Sequence, residues 1–224
     1  MKIPTAIIAA SVLSACASGG PAPFHIGAKP PIRTADGSAL VSKTMPAARF
    51  VMPQEARYIG STRFDLKEVS DAEIHLFVEP DAAGVVKRAW WFQFESYLPA
   101  VPNARYDFAD TGWPLVTLGA MDLYYRARFG AAYDKPPKGS EAERVIQMVE
   151  RAGYRFPVET FSAQFHKVVS DDARSEVLVI FIGDLADIGL SVEGVIAGGK
   201  DGAPMQLLHE RVLEQAQRHV TIRR

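Results

Sequence analysis

The chain has 224 residues, and its 25 basic and 26 acidic side chains leave a formal charge of −1. Hydrophobic residues make up 48% and charged residues 23%, the balance of a folded domain. One cysteine excludes an intramolecular disulfide framework and a paired-cysteine metal or redox site; the near-zero charge argues against a nucleic-acid partner held by bulk electrostatics, and no apolar run reaches the ~18 residues of a spanning helix.

Taken in order, the chain opens with Lys2 and an apolar stretch from Ile3 to Leu13. Its length suits the apolar segment of a signal peptide and is too short to cross a bilayer. Ser14 and Ala15 then lead to the single cysteine, Cys16. Leu13-Ser14-Ala15-Cys16 resembles the lipobox of bacterial lipoproteins, the L-[AS]-[GA]-C pattern, and the resemblance covers residues 1–16 alone. It implies removal of residues 1–15, a diacylglyceryl group on the Cys16 thiol and a fatty acyl chain on the new amino terminus. One chain binds a membrane marginally and two or more anchor stably. Ala17 in place of Asp after the cysteine favours, in that family's sorting pattern, the outer membrane, with the domain facing the periplasm.

Residues 17–48 hold nine Pro or Gly and one aromatic, Phe24. Such a segment buries little apolar surface against its ordering entropy. It is expected to be a flexible tether, so that residues 16–48 carry the lipidated Cys and spacer and residues 49–224 form a single globular domain.

Within that domain, alternation predicts strands over 57–66, 73–79 and 85–97, joined as an antiparallel meander. Leu118, Met121 and Tyr125 fall at spacings of three and four, which predicts a helix over 114–129 closed by Gly130. Ser140-Glu141-Ala142-Glu143 reads as a capping box opening a helix over 141–152. Strands are expected over 158–169 and 175–183, the second apolar on both faces and therefore central. Pro204 starts a closing helix to Arg218, with Leu207, Leu208, Val212, Leu213 and Ala216 as its apolar stripe. The order βββααββα predicts an α+β domain, an antiparallel sheet of about five strands with helices packed on it.

The histidines lack the spacings of a zinc site, no nucleophile elbow or phosphate loop is present, and no cofactor is implied. In the aromatic run 90–97, alternation sends Trp90, Phe92 and Phe94 to one face and Trp91, Gln93, Glu95 and Tyr97 to the other. The first set is core. An aromatic among polar groups on a sheet face suits a ligand or partner surface, so Trp91, Gln93, Glu95 and Tyr97 are the candidate site.

The expected function is a lipid-anchored, non-catalytic binding or interaction module of the cell envelope. Its partners are the membrane, through Cys16, and an envelope protein or a small apolar ligand. A small periplasmic hydrolase with dispersed residues such as His75, Glu95, His166 and Asp184 is the alternative, and an assembly accessory of the envelope is a third. If Cys16 is the acylated residue, intact mass will show a mature chain starting there with added lipid. The Cys16→Ala variant will stay unprocessed and leave the membrane fraction; an unlipidated wild-type mass would sink the anchor.

Overall fold

The computed structural model describes residues 21–131 and 136–224. Cys16 lies outside them. The described residues form twelve strands and three short helices. The chain is therefore mostly β, and the five-stranded α+β expectation is overturned.

One sheet carries eight strands: β1 (Phe24–Ile26), β5 (Arg57–Leu66), β6 (Ser70–Pro80), β7 (Val86–Tyr97), β11 (Ser175–Asp184), β10 (Glu159–Val168), β9 (Met121–Ala131) and β8 (Leu115–Leu118), in that spatial order. The meander expected over 57–97 is its first half, β5-β6-β7. Its second half is β8-β9-β10-β11. The halves meet where β7 and β11 pair antiparallel, from Ser175 opposite Ser96 to Gly183 opposite Arg88. Only β1 runs parallel to its neighbour, β5. A second sheet, in the order β12 (Thr221–Arg223), β4 (Ala48–Val51), β3 (Ala39–Ser42), β2 (Thr34–Asp36), is antiparallel throughout.

Two expectations failed for identifiable reasons. The segment 114–129 is no helix but the β8–β9 hairpin. Leu118 and Met121 are cross-strand partners flanking the turn at Gly119-Ala120, so their spacing of three mimics one helical turn. Past the turn, Met121, Leu123 and Tyr125 are buried at every second position, the period of a strand. Gly119 has φ 59° and a Cβ there would lie 2.2 Å from the Ile222 carbonyl oxygen, so the turn requires glycine.

The expected tether is the second failure. Residues 24–51 contribute β1 to β4. Besides strand pairing and the core contact of Leu40, what holds this Pro- and Gly-rich segment is the buried carboxylate of Glu73 on β6. It accepts from the Ile32 and Arg33 amides at 2.9 and 2.8 Å, from the Arg33 guanidinium at 2.9 Å and from His75 Nε2 at 2.7 Å. His75 Nε2 therefore carries the proton, and its Nδ1 accepts from the Tyr58 hydroxyl at 3.0 Å. Arg33 also lies 4.0 Å over the Phe94 ring. These partners are distant in sequence, so composition gave no sign of them.

Helix α1 (Glu141–Arg151) starts as expected, with the Ser140 side chain accepting from the Glu143 amide. The Glu143 carboxylate reaches one residue further back, to the Gly139 amide. Val145, Met148 and Val149 pack with Phe64, Ile74 and Leu76 on one face of the large sheet. On the opposite face, Phe50, Phe92, Phe165 and Phe181 form the main core. Helix α3 (Ala203–His219) buries Leu208, Val212 and Ala216 into it, and α2 (Val192–Gly198) adds Val195. Trp90 is fully buried there, its indole N–H donating to the His219 carbonyl at 3.0 Å.

Removing one partner of a buried ion pair strands the other charge. Arg33→Met is therefore expected to lower unfolding free energy by roughly 3–5 kcal/mol, measured by urea denaturation. Burial alone would raise the Glu73 carboxyl, but the His75 hydrogen bond, the Arg33 amide and both charges bring it from 4.5 to about 2. Its folded value is depressed, so its contribution is present above 4.5 and is lost as pH falls toward 2. The Arg33→Met variant should lose stability less steeply than wild type over that window; parallel curves would count against the clamp.

Candidate ligand groove

The face of the large sheet that carries α1 is not fully covered by it. Beside the helix lies an open groove of about 690 Å³, within the ~300–1,000 Å³ usual for small-ligand sites. Pairing register explains its walls. On β7 and β11, Trp91 stands opposite Ile180, and Ala89 opposite Ile182. Opposed residues share a face, so Trp91, Ile180 and Ile182 line the groove together. Val145, Ile146 and Val149 of α1 face them from the other side. On β9 and β10, Arg128 stands opposite Ser162, and Gly130 opposite Thr160; these form the polar wall.

The sequence-derived site residues fall on this face but divide into two groups. Trp91 lines the groove and is half-buried. Gln93 and Glu95 are buried beyond its end and are joined to it by hydrogen bonds. The Trp91 indole N–H donates to Gln93 Oε1 at 2.8 Å, and the Gln93 amide donates to Glu95 Oε1. Tyr97 is half-buried and stacks on Tyr106, with ring centroids 4.3 Å apart.

Beyond Gln93 the face becomes a buried polar cluster. Glu95 and Glu176 are direct cross-strand neighbours on β7 and β11. Glu95 also accepts from the Ser70 hydroxyl at 3.0 Å and the Tyr106 hydroxyl at 3.1 Å. Burial, and then the charge of Glu176, hold the Glu95 carboxyl above its ordinary value. Burial raises Glu176 from 4.5 to about 7. His166, 3.4 Å from Glu176 through Nδ1, is lowered by burial and by Arg126 from 6.5 to about 4. Near pH 6 the contact is thus between a protonated acid and a neutral imidazole, not an ion pair. Phe108 and Trp113 lie against the His166 ring, each centroid 5.0 Å away, and His166 Nε2 is buried with no hydrogen-bond partner.

The dispersed hydrolase set is only partly brought together. His166 and Glu95 belong to the cluster. His75 is fully buried in the Glu73 clamp on the other face. Asp184 ends β11, accepting from the Ala186 amide at 2.9 Å. Among the described residues, no group of three or more His, Cys, Asp or Glu is placed to hold a metal ion, and no helix is long and apolar enough to cross a membrane.

Sequence reasoning missed Glu176, Ser162, Gln164 and Arg128. For Glu176 a signal existed: with strands read on both sides of 170–174, hairpin register sets Glu176 opposite Val168, two residues from His166 on the same face. For Arg128 the helical reading of 114–129 hid the alternation. Comparison of the chain with protein-family models, with curated proteins and with solved structures finds no match, so the functional reading rests on the geometry of this face.

Glu176 has a folded value above its ordinary one, so the stability it contributes is full below 4.5 and is lost as pH rises through about 7. Glu176→Gln keeps the shape of the protonated acid. It should gain on the order of 2–3 kcal/mol over wild type at pH 8 and little at pH 4.5, by urea denaturation at both. A constant difference between the two proteins would refute the raised carboxyl.

Proposed function

We propose that this protein is a lipid-anchored binding module of the bacterial envelope that takes a small apolar or amphipathic ligand into the groove beside Trp91. The observation that carries the reading is the groove itself. Its lining joins the half-buried Trp91 and Ile182 on the sheet to the half-buried Ile146 on α1, together with the buried Ile180, Val145 and Val149, an apolar wall that α1 covers only in part. Such surface gains free energy when it is removed from water. The lipobox resemblance at Leu13–Cys16 supports anchoring at a membrane, with the outer membrane and the periplasm as the location.

A hydrolase reading draws on the Glu95–Glu176–His166 cluster, where a carboxyl held near neutrality suits proton transfer. Phe108 and Trp113 pack on His166, and the cluster residues do not line the groove. Binding is therefore the better supported reading.

The test is photolabelling of the full chain in phosphatidylcholine vesicles. The probe is a hexadecanoic acid methyl ester bearing a diazirine near its chain end. Labelled peptides should map to α1, β7 and β11. Ile146→Trp, which fills the groove from the half-buried side of α1, should reduce that labelling by about tenfold or more with circular dichroism unchanged. Equal labelling of variant and wild type would overturn the groove as the binding site.

A further inference from the structure

The two walls of the groove differ in chemistry. The β7–β11–α1 side is apolar. The β9–β10 side presents, in register, Arg128 beside Ser162 and Gly130 beside Thr160. Arg128 is exposed, and among the described residues neither its guanidinium nor the Ser162 and Thr160 hydroxyls has a side-chain hydrogen-bond partner. The next pair along is joined by one bond, Arg126 Nε donating to Gln164 Oε1 at 2.7 Å, and the Arg126 guanidinium lies 4.4 Å over the Trp113 ring. The exposed cation on the groove wall is therefore Arg128, with the Ser162 and Thr160 hydroxyls and the Gln164 amide as neutral donors along it.

Charge narrows the ligand further. The charged residues lining the groove are Arg128, Arg155 and Glu150, one positive charge in excess. Arg155 is engaged, donating to the Ala83 carbonyl at 2.9 Å. A wholly apolar ligand would leave the Arg128 wall unused, and a cationic one would be repelled by it. An anionic head fits it, because a guanidinium grips a carboxylate through two parallel hydrogen bonds, with the Ser162 hydroxyl beside it as a further donor. The volume of about 690 Å³ suits one ligand of small-molecule size.

We infer that the groove takes a long-chain monocarboxylate, its alkyl chain lying on Trp91, Ile180 and Ile182 and its carboxylate held by Arg128 beside Ser162. This rests on the reading of the groove as a ligand site. A single carboxylate balances the one excess charge. The head sits on the exposed wall, where water can reach it, while the chain occupies the apolar side. Arg128 is then the residue that selects acids over neutral lipids of the same length, since the chain contacts alone do not discriminate between them.

The experiment uses the same full chain in phosphatidylcholine vesicles. It compares the diazirine-bearing hexadecanoic acid with its methyl ester and with the matching alkyl phosphate. The free acid should label the groove peptides at about tenfold lower concentration than the ester. Arg128→Gln should bring the ratio of acid to ester labelling from about tenfold to about one, a change in preference that a folding defect would not reproduce. Arg128→Lys should restore part of the preference through charge alone. Equal labelling by acid and ester, with no effect of Arg128→Gln, would overturn the carboxylate assignment and leave the groove standing. A phosphate that outcompetes the acid would overturn the monocarboxylate class. Failure of all three probes to label α1, β7 or β11 would remove the groove reading as well.

Discussion

The structure depends on one pairing, that of β7 with β11. Nine consecutive residue pairs, Ser175–Ser96 to Gly183–Arg88, join two meanders that would otherwise be separate sheets. Because opposed residues share a face, this register also sorts the chemistry. It places Phe92 against Val179 and Trp90 against Phe181 in the main core, and Trp91 against Ile180 and Glu95 against Glu176 on the other side. A slip of one residue would exchange the two faces. It would push carboxylates into the aromatic core, which makes the register expensive to change. The groove floor and the polar cluster are thus consequences of one alignment.

Around that seam each face is covered differently. The core face is closed by the second sheet and by α2 and α3. The other face receives one helix, α1, which packs over β5 and β6 through Val145, Met148 and Val149 and leaves β7, β11, β10 and β9 beside it open enough to form the groove. The unevenness has a cause in sequence. Helix α1 has 11 residues, about 16 Å of helix, whereas six strands between β5 and β9 at about 4.8 Å spacing span about 24 Å.

Much of this was legible in the sequence where a local pattern decided the outcome. The strands at 57–66 and 85–97 followed from alternation, as did the face assignment of Trp91 against Trp90, and the strand at 175–183 followed from its unbroken apolar run. The capped helix at 141 followed from Ser140 and Glu143. What misled was coincidence of period or composition. Leu118 and Met121 are three apart on a helix and equally three apart across a two-residue turn, and only the buried Leu123 between Met121 and Tyr125 tells them apart. The segment 21–48 looked disordered because it is rich in Pro and Gly and has one aromatic residue. Its order comes from partners distant in sequence: β5 beside β1, the main core that takes Leu40, and Glu73, whose carboxylate collects four donors. The groove was legible only on one wall. Trp91 stood out as an aromatic among polar neighbours, but Arg128 and Ser162 become neighbours through the β9–β10 register, which no local pattern specifies.

The pairing of β1 with β5 also changes the mechanics of attachment. Between Cys16 and the first residue of β1 stand only residues 17–23, a contour of at most ~25 Å, where a spacer running to residue 48 would have reached ~110 Å. If Cys16 is acylated, the domain is moored and not leashed, its first strand held within about 25 Å of the lipidated residue.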